Sequence, residues 1–241
     1  MVIMAFLQIL ISGTMLGIAS FLDIRTREIS NKLWLAFLPF STLVILLTIV
    51  TDLTQIPLIV TSIAITSGIA LLIFYLGLYG GADAKALISL SIAHPTASIP
   101  PLHTPMLPLT TLTNSLCLML LSTPIALIKN VYWKTTTRKA LFDGLEHEAL
   151  WRKIAALFLC VKVSKASIKP YHMIAEQHPE EGVRHLKLFQ QIVDEDTMVD
   201  EKIPEFVFIA YSLPMLPFIL AGYLISLTIG DLIFHLLTLI M

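Results

Sequence analysis

Residues 57–94 read PLIVTSIAITSGIALLIFYLGLYGGADAKALISLSIAH: a long uncharged run closes on Gly80-Gly81-Ala82-Asp83, and a shorter apolar run restarts beyond Lys85. As a helix rising 1.5 Å per residue, the stretch 57–79 is long enough to cross a hydrocarbon core about 30 Å thick. The pattern recurs on both sides of it. Further apolar segments at 2–22, 33–51, 83–94, 109–128 and 211–233 bring the candidates to six. Across the 241 residues, 56% are hydrophobic and 14% charged, with a mean hydropathy of +0.82. A soluble domain is about 45–50% apolar and about 25% charged. An ordinary soluble fold and a disordered chain are both excluded, and the sequence predicts an all-α polytopic membrane protein of six transmembrane helices, with the lipid bilayer as its solvent.

The formal net charge is −1, so no global field exists to hold nucleic acid. The charges are concentrated instead. Residues 129–205 contain twelve of the sixteen Lys/Arg and twelve of the seventeen Asp/Glu. This divides the chain into a membrane domain at 1–128, a polar insert at 129–205 and a last helix within 206–241. Within the insert, apolar positions 145, 149, 150, 154, 157 and 158 form a helical stripe, while 158–163 and 186–189 read as short strands, a small α+β module. Cys117 and Cys160 support neither a disulfide framework nor a thiolate zinc site.

The first segment has no basic residue before Arg25 and no small-residue cleavage site, so it is expected to remain as a membrane helix rather than a signal peptide. Arg25, Arg27, Lys32, Lys85 and the basic residues from Lys129 to Lys202 then fix orientation by the positive-inside rule. The N-terminus falls outside and the insert in the cytosol. The fourth segment, 83–94, is 12 residues or about 18 Å of helix, too short to span. The proline-rich stretch 95–105 cannot continue it. A short helix beside irregular backbone gives water a way in.

Three acidic residues abut or interrupt the apolar segments without an obvious loop location: Asp23, Asp83 and Asp231. An ionisable group at membrane depth costs about 2.5–3.5 kcal/mol on insertion scales and is by default a functional candidate. The orientation brings Asp23 and Asp83 to the inner face and leaves Asp231 exposed to water at the outer one. Two carboxylates that share a proton divide the roles of acid and base, which suits amide hydrolysis by an activated water. Plainer roles exist: Asp23 as a helix-end residue beside Arg25 and Arg27, and Asp83 as the N-cap of the fourth segment. Capping and catalysis are compatible. Gly80, Gly81 and Ala82 keep the approach to Asp83 free of large side chains, and Gly13, Gly17 and Ser20 form a small-residue stripe for helix packing toward Asp23.

The stretch Gly80-Gly81-Ala82-Asp83-Ala84-Lys85-Ala86-Leu87, taken with Asp23-Ile24-Arg25-Thr26-Arg27-Glu28-Ile29-Ser30-Asn31, resembles the archaeal prepilin/preflagellin peptidases, membrane aspartyl proteases of the GxGD type. The resemblance covers most of the chain and is weak within 129–205. It implies that Asp23 and Asp83 are the catalytic pair among six helices. It also implies that the substrate is an archaellin or type IV prepilin precursor, cut on the cytosolic side after a basic class III leader. Ala82 stands where bacterial members have a second glycine, which shifts the likeness toward the archaeal branch. The four-cysteine zinc module of bacterial relatives has no counterpart here, so cleavage is expected without methylation, and no cofactor or metal is called for.

Other residues read less sharply. Lys85 is expected as an interfacial anchor, with tuning of Asp83 as its alternative. His172, Glu176, His178 and His185 include an i, i+4 pair, but Pro179 interrupts a common helix, and solvated surface is the expectation. Asp194, Glu195, Asp196, Asp200 and Glu201 form an acidic run that is either a solvated loop or a contact for the basic leader. Pro214-Met215-Leu216-Pro217-Phe218 marks the entry to the last helix. A transporter or proton channel with paired aspartates is the competing class, and a catalytically silent assembly scaffold a third.

Overall fold

The computed structural model describes residues 2–97, 105–168, 173–177, 184–187, 204–210 and 214–240. In chain order the helices are α1 (Val2–Thr26), α2 (Asn31–Thr51), α3 (Ile56–Tyr75), α4 (Gly81–Ala93), α5 (Leu107–Thr137), α6 (Leu150–Leu159), α7 (Met215–Thr228) and α8 (Leu232–Ile240). The strands are β1 (Cys160–Ser164), β2 (Met173–Ile174), β3 (Glu176–Gln177), β4 (His185–Leu186) and β5 (Phe206–Ala210). Two compact units result: residues 1–119 with 214–241, and residues 120–213.

The first unit is helical. Among the described residues, four stretches are long and apolar enough to cross a membrane, Ile3–Thr26, Asn31–Thr51, Leu53–Tyr75 and Leu107–Thr137, and the pair α7–α8 qualifies together with a 60° bend between its halves, which makes four or five spans where the sequence predicts six. The expected third segment, 57–79, ends early. Gly77 adopts φ +70°, its N–H bonds the Phe74 carbonyl at 2.9 Å, and the Leu78 N–H bonds the Ile73 carbonyl at 3.1 Å. This is a Schellman stop, which only a residue tolerant of left-handed backbone makes cheaply. It frees residues 76–80 to turn the chain into α4, whose 13 residues make about 20 Å of helix.

The last segment departs from the single straight helix expected over 211–233. Gly230 has φ +93° and the helix breaks at 229–231. Backbone opened at membrane depth needs new partners, and Asn114 of α5 supplies them. Its amide nitrogen donates to the Gly230 carbonyl at 2.8 Å and to Ser226 Oγ at 3.0 Å, and its Oδ1 accepts from the Leu232 N–H at 3.0 Å. Asp231, expected in water at the outer face, is buried beside this break. From sequence Asp231 is a segment end, whereas here it stands at a 60° bend between two helices inside the unit.

The core of this unit gathers Leu16 and Ala19 of α1, Leu87 and Leu90 of α4, and Ile219 and Tyr223 of α7. Large apolar side chains such as Phe6, Leu43, Val50 and Leu72 point outward, as lipid permits and water does not. The small-residue stripe of α1 does not pack as expected: a Cβ at Gly13 or Gly17 would meet no described atom within 4 Å. The third member, Ser20, is buried together with Ser12, Met15, Leu16 and Ala19, so the packing face meets the stripe at Ser20 and is rotated away from the two glycines. The tight approach lies elsewhere. A Cβ at Gly222 of α7 would stand 2.7 Å from the Thr111 carbonyl oxygen and 2.8 Å from the Ser115 nitrogen.

The second unit contains α6 and two small antiparallel sheets, ordered β1-β5-β2 and β3-β4. Cys160 of β1 faces Ala210 of β5, and Met173 of β2 faces the same Ala210 from the other side. The expected helix over 145–160 starts only at Leu150, because residues 145–148 are used in turns closed by Leu145 N–H to the Phe142 carbonyl and Glu148 N–H to the Leu145 carbonyl. Leu145, Ala156, Cys160, Leu186 and Phe208 form its core. Burial pushes the Cys160 thiol up to about 12, with the Glu176 charge adding to it, so it packs as an inert small apolar group.

Glu176, read from sequence as solvated surface, is buried. One oxygen accepts from the Phe208 N–H at 2.6 Å and lies 3.7 Å from Lys162 Nζ; the other pairs with Arg184. The charge alternation of the insert hid this ion cluster, since a carboxylate is buried only where its partners come from distant strands. Burial holds Lys162 below its ordinary value against the opposing pull of Glu176. His172 and His178 lie outside the described residues.

Candidate active site

Asp23 sits in the last turn of α1 and Asp83 in the first turn of α4. Both are half-buried, and their charges lie within electrostatic reach of each other. The local chemistry of each follows from a helix terminus. Gly80 caps α4 and has no side chain to offer, so the orphan N–H of the cap is satisfied in the reverse direction, donating to Asp83 Oδ2 at 3.0 Å. Asp83 is therefore the third residue of the helix rather than the N-cap expected from sequence. A Cβ at residue 80 would stand 3.2 Å from that oxygen, so glycine keeps the carboxylate accessible.

Asp23 reaches a third helix. Its Oδ2 accepts from the Leu216 N–H at 3.2 Å, one of the unpaired donors at the start of α7, where Pro214 leaves the chain without a capping side chain. Arg27, in left-handed backbone with φ +60° just past α1, lies within electrostatic reach of Asp23. Both acids thus rest at the positive ends of helices, where negative charge is favoured.

The flanking residues fall as follows. Gly81 opens α4, where a Cβ would stand 3.7 Å from Phe74 Cε2; Ala82 packs half-buried against the core. Lys85 is exposed and donates to Asn31 Oδ1 at 2.8 Å, which ties α4 to the start of α2. Asp194, Glu195, Asp196, Asp200 and Glu201 lie outside the described residues. Sequence reasoning missed three participants: the Leu216 N–H, Asn31 and Tyr79. The Tyr79 hydroxyl is buried with Ser115 and Asp83 as polar neighbours, and makes no hydrogen bond of normal geometry among the described residues. A tyrosine four residues before an aspartate at a helix start was the available signal, and the glycines between them drew attention away from it.

Several long apolar helices define a multi-pass membrane protein, and within it two acids are held at helix termini. The type IV leader peptidase family matches residues 10–127, the stretch that contains both aspartates and the Gly80-Gly81 turn. That stretch, just under half of the chain, is similar to the type IV leader peptidase family, which processes prepilin-like precursors. No curated protein matches the chain.

Proposed function

We propose that the protein is an endopeptidase that removes the basic class III leader from archaellin or type IV prepilin precursors on the cytosolic side of the membrane, without methylating the new N-terminus. Asp23 and Asp83 are the catalytic residues in this reading. Like charges in close range resist double ionisation, so the pair holds one proton between two carboxyl groups. The ionised member takes a proton from water, and the resulting hydroxide adds to the scissile carbonyl carbon. The protonated member gives its proton to the carbonyl oxygen. Collapse of the tetrahedral adduct breaks the C–N bond as the first acid, now protonated, delivers its proton to the leaving amine and the second, now ionised, takes one back from a hydroxyl of the adduct, which restores the carbonyl and the singly protonated pair. In this reading the N-terminus lies outside and the insert and both acids lie at the inner face, where the leader's basic residues remain by the positive-inside rule.

The observation that supports this reading is that Asp23 and Asp83 each stand at a helix terminus, in the last turn of α1 and the first turn of α4, with one carboxylate oxygen held by a backbone N–H and the side chain still half exposed. The test is leader removal from a co-expressed precursor, read by immunoblot, in the wild type, Asp23→Asn and Asp83→Asn. Loss of cleavage in both variants is expected. If both variants still cleave, the dyad is wrong; if the wild type leaves every precursor intact but conducts cations in vesicles, the transporter reading replaces it.

A further inference from the structure

In the second unit, two imidazoles and a carboxylate converge at a place no part of the peptidase reading uses. His147 and Glu148 stand in the turn before α6, and His185 opens β4. His147 Nε2 lies 3.4 Å from His185 Nδ1, which lies 3.2 Å from Glu148 Oε1, and the ligand atoms of all three fall within 4.8 Å of one another. Hydrogen bonding alone accounts poorly for this. His185 Nδ1 offers a single in-plane position, either a proton or a lone pair, yet it faces two partners. One cation between the three groups gives each lone pair a destination.

The dimensions agree with that assignment. Four ligands at about 2.0–2.1 Å around tetrahedral zinc are separated by about 3.3 Å, and the two short edges here are 3.4 and 3.2 Å. Two imidazoles with a carboxylate suit zinc among the common divalent ions. The supporting contacts are already in place. Glu148 is buried, its Oε1 also accepts from the Leu186 N–H at 2.8 Å, and its Oε2 lies 3.4 Å from Arg152. Such outer contacts fix a ligand's orientation before the ion arrives. Both histidines are exposed, and their rings meet edge to face with centroids 4.8 Å apart, so an ion can enter and solvent can fill a fourth position.

We propose that His147, Glu148 and His185 bind one zinc ion, with water as fourth ligand, and that the ion fastens the turn before α6 to β4. A ligand bound only by the folded chain stabilises it by mass action. The full-length protein in detergent, stripped with chelator and dialysed, is titrated with zinc chloride and separately with cobalt chloride. One ion per chain, a melting temperature that rises with zinc, and the intense visible absorption of four-coordinate cobalt are expected. His147→Ala and His185→Ala should each weaken binding by at least about tenfold and abolish the thermal shift. His235→Ala, in α8, should change neither. In the wild type, zinc should also protect His147 and His185 from diethylpyrocarbonate, read by mass spectrometry, a measurement that holds even if a variant fails to fold. Absence of stoichiometric zinc binding by the wild type overturns the proposal. So does wild-type affinity in both folded histidine variants, or equal modification of the two histidines with and without zinc.

Discussion

The carboxylate of Asp23 accepts a hydrogen bond from the backbone N–H of Leu216, 3.2 Å away and 193 positions further along the chain. The end of the first helix thereby closes the beginning of α7, and the acid proposed for catalysis has a measurable structural duty as well. The two duties separate by substitution. Asparagine retains an acceptor oxygen for Leu216 but cannot ionise, while alanine loses both. Asp23→Asn should melt within a few degrees of the wild type, and Asp23→Ala should lose about 0.5–2 kcal/mol, the usual worth of a helix cap. Both should lower cleavage by about 10²–10⁴-fold, the scale of a general acid–base group. Denaturant unfolding and single-turnover cleavage on the same samples check the pair of statements.

Tyr79→Phe removes a buried hydroxyl that makes no normal hydrogen bond. Deleting an unsatisfied polar atom is neutral or stabilising, so the melting temperature should hold or rise. The hydroxyl lies within electrostatic reach of Asp83, so kcat should nevertheless fall, by about tenfold if it donates one hydrogen bond to a developing charge. An unchanged kcat assigns Tyr79 to packing alone.

Gly222→Ala places a methyl group 2.7–2.8 Å from backbone atoms of Thr111 and Ser115. Backbone cannot yield as a side-chain tip does, and overpacking of this kind costs about 1–3 kcal/mol. Unfolding in mixed micelles should show that loss for Gly222 and none for Gly13→Ala, whose added carbon enters open space.

Asn114→Ala should be more damaging than its size suggests. It strands the Gly230 carbonyl and the Leu232 N–H at the α7–α8 break, and each unsatisfied buried group costs about 1–3 kcal/mol. Reduced folded yield, with faster proteolysis confined to the C-terminal helix, is the expected result.

Reversing Asp194, Glu195, Asp196, Asp200 and Glu201 to lysine should raise KM for a basic leader while sparing kcat, since rim charge acts on encounter rather than on chemistry. Equal kinetics for both proteins would leave the run as a solvated loop.

The membrane character and the mostly helical fold with a small region of sheet were legible because each is written in local composition: long uncharged runs, and a block of mixed charge between them. What escaped depends on partners far apart in sequence. Asn114 reads as one polar residue in an apolar helix until the break it repairs, more than a hundred residues later, is seen. Glu176 reads as a surface acid until Lys162, Arg184 and the Phe208 N–H surround it. The rotated face of α1 was invisible because glycine spacing marks where a helix can pack closely and leaves open whether a neighbour comes. Gly77, by contrast, was available, since a glycine just before an aromatic and a glycine pair is an ordinary helix stop.

The 13 residues of α4 give about 20 Å of helix where the hydrocarbon is about 30 Å deep. Of its side chains only Lys85 is exposed, so the shortfall is bordered by the longer helices around it and not by lipid. Changes in bilayer thickness therefore reach Asp83 only through those helices, and the carboxylate is shielded from the composition of the membrane around it.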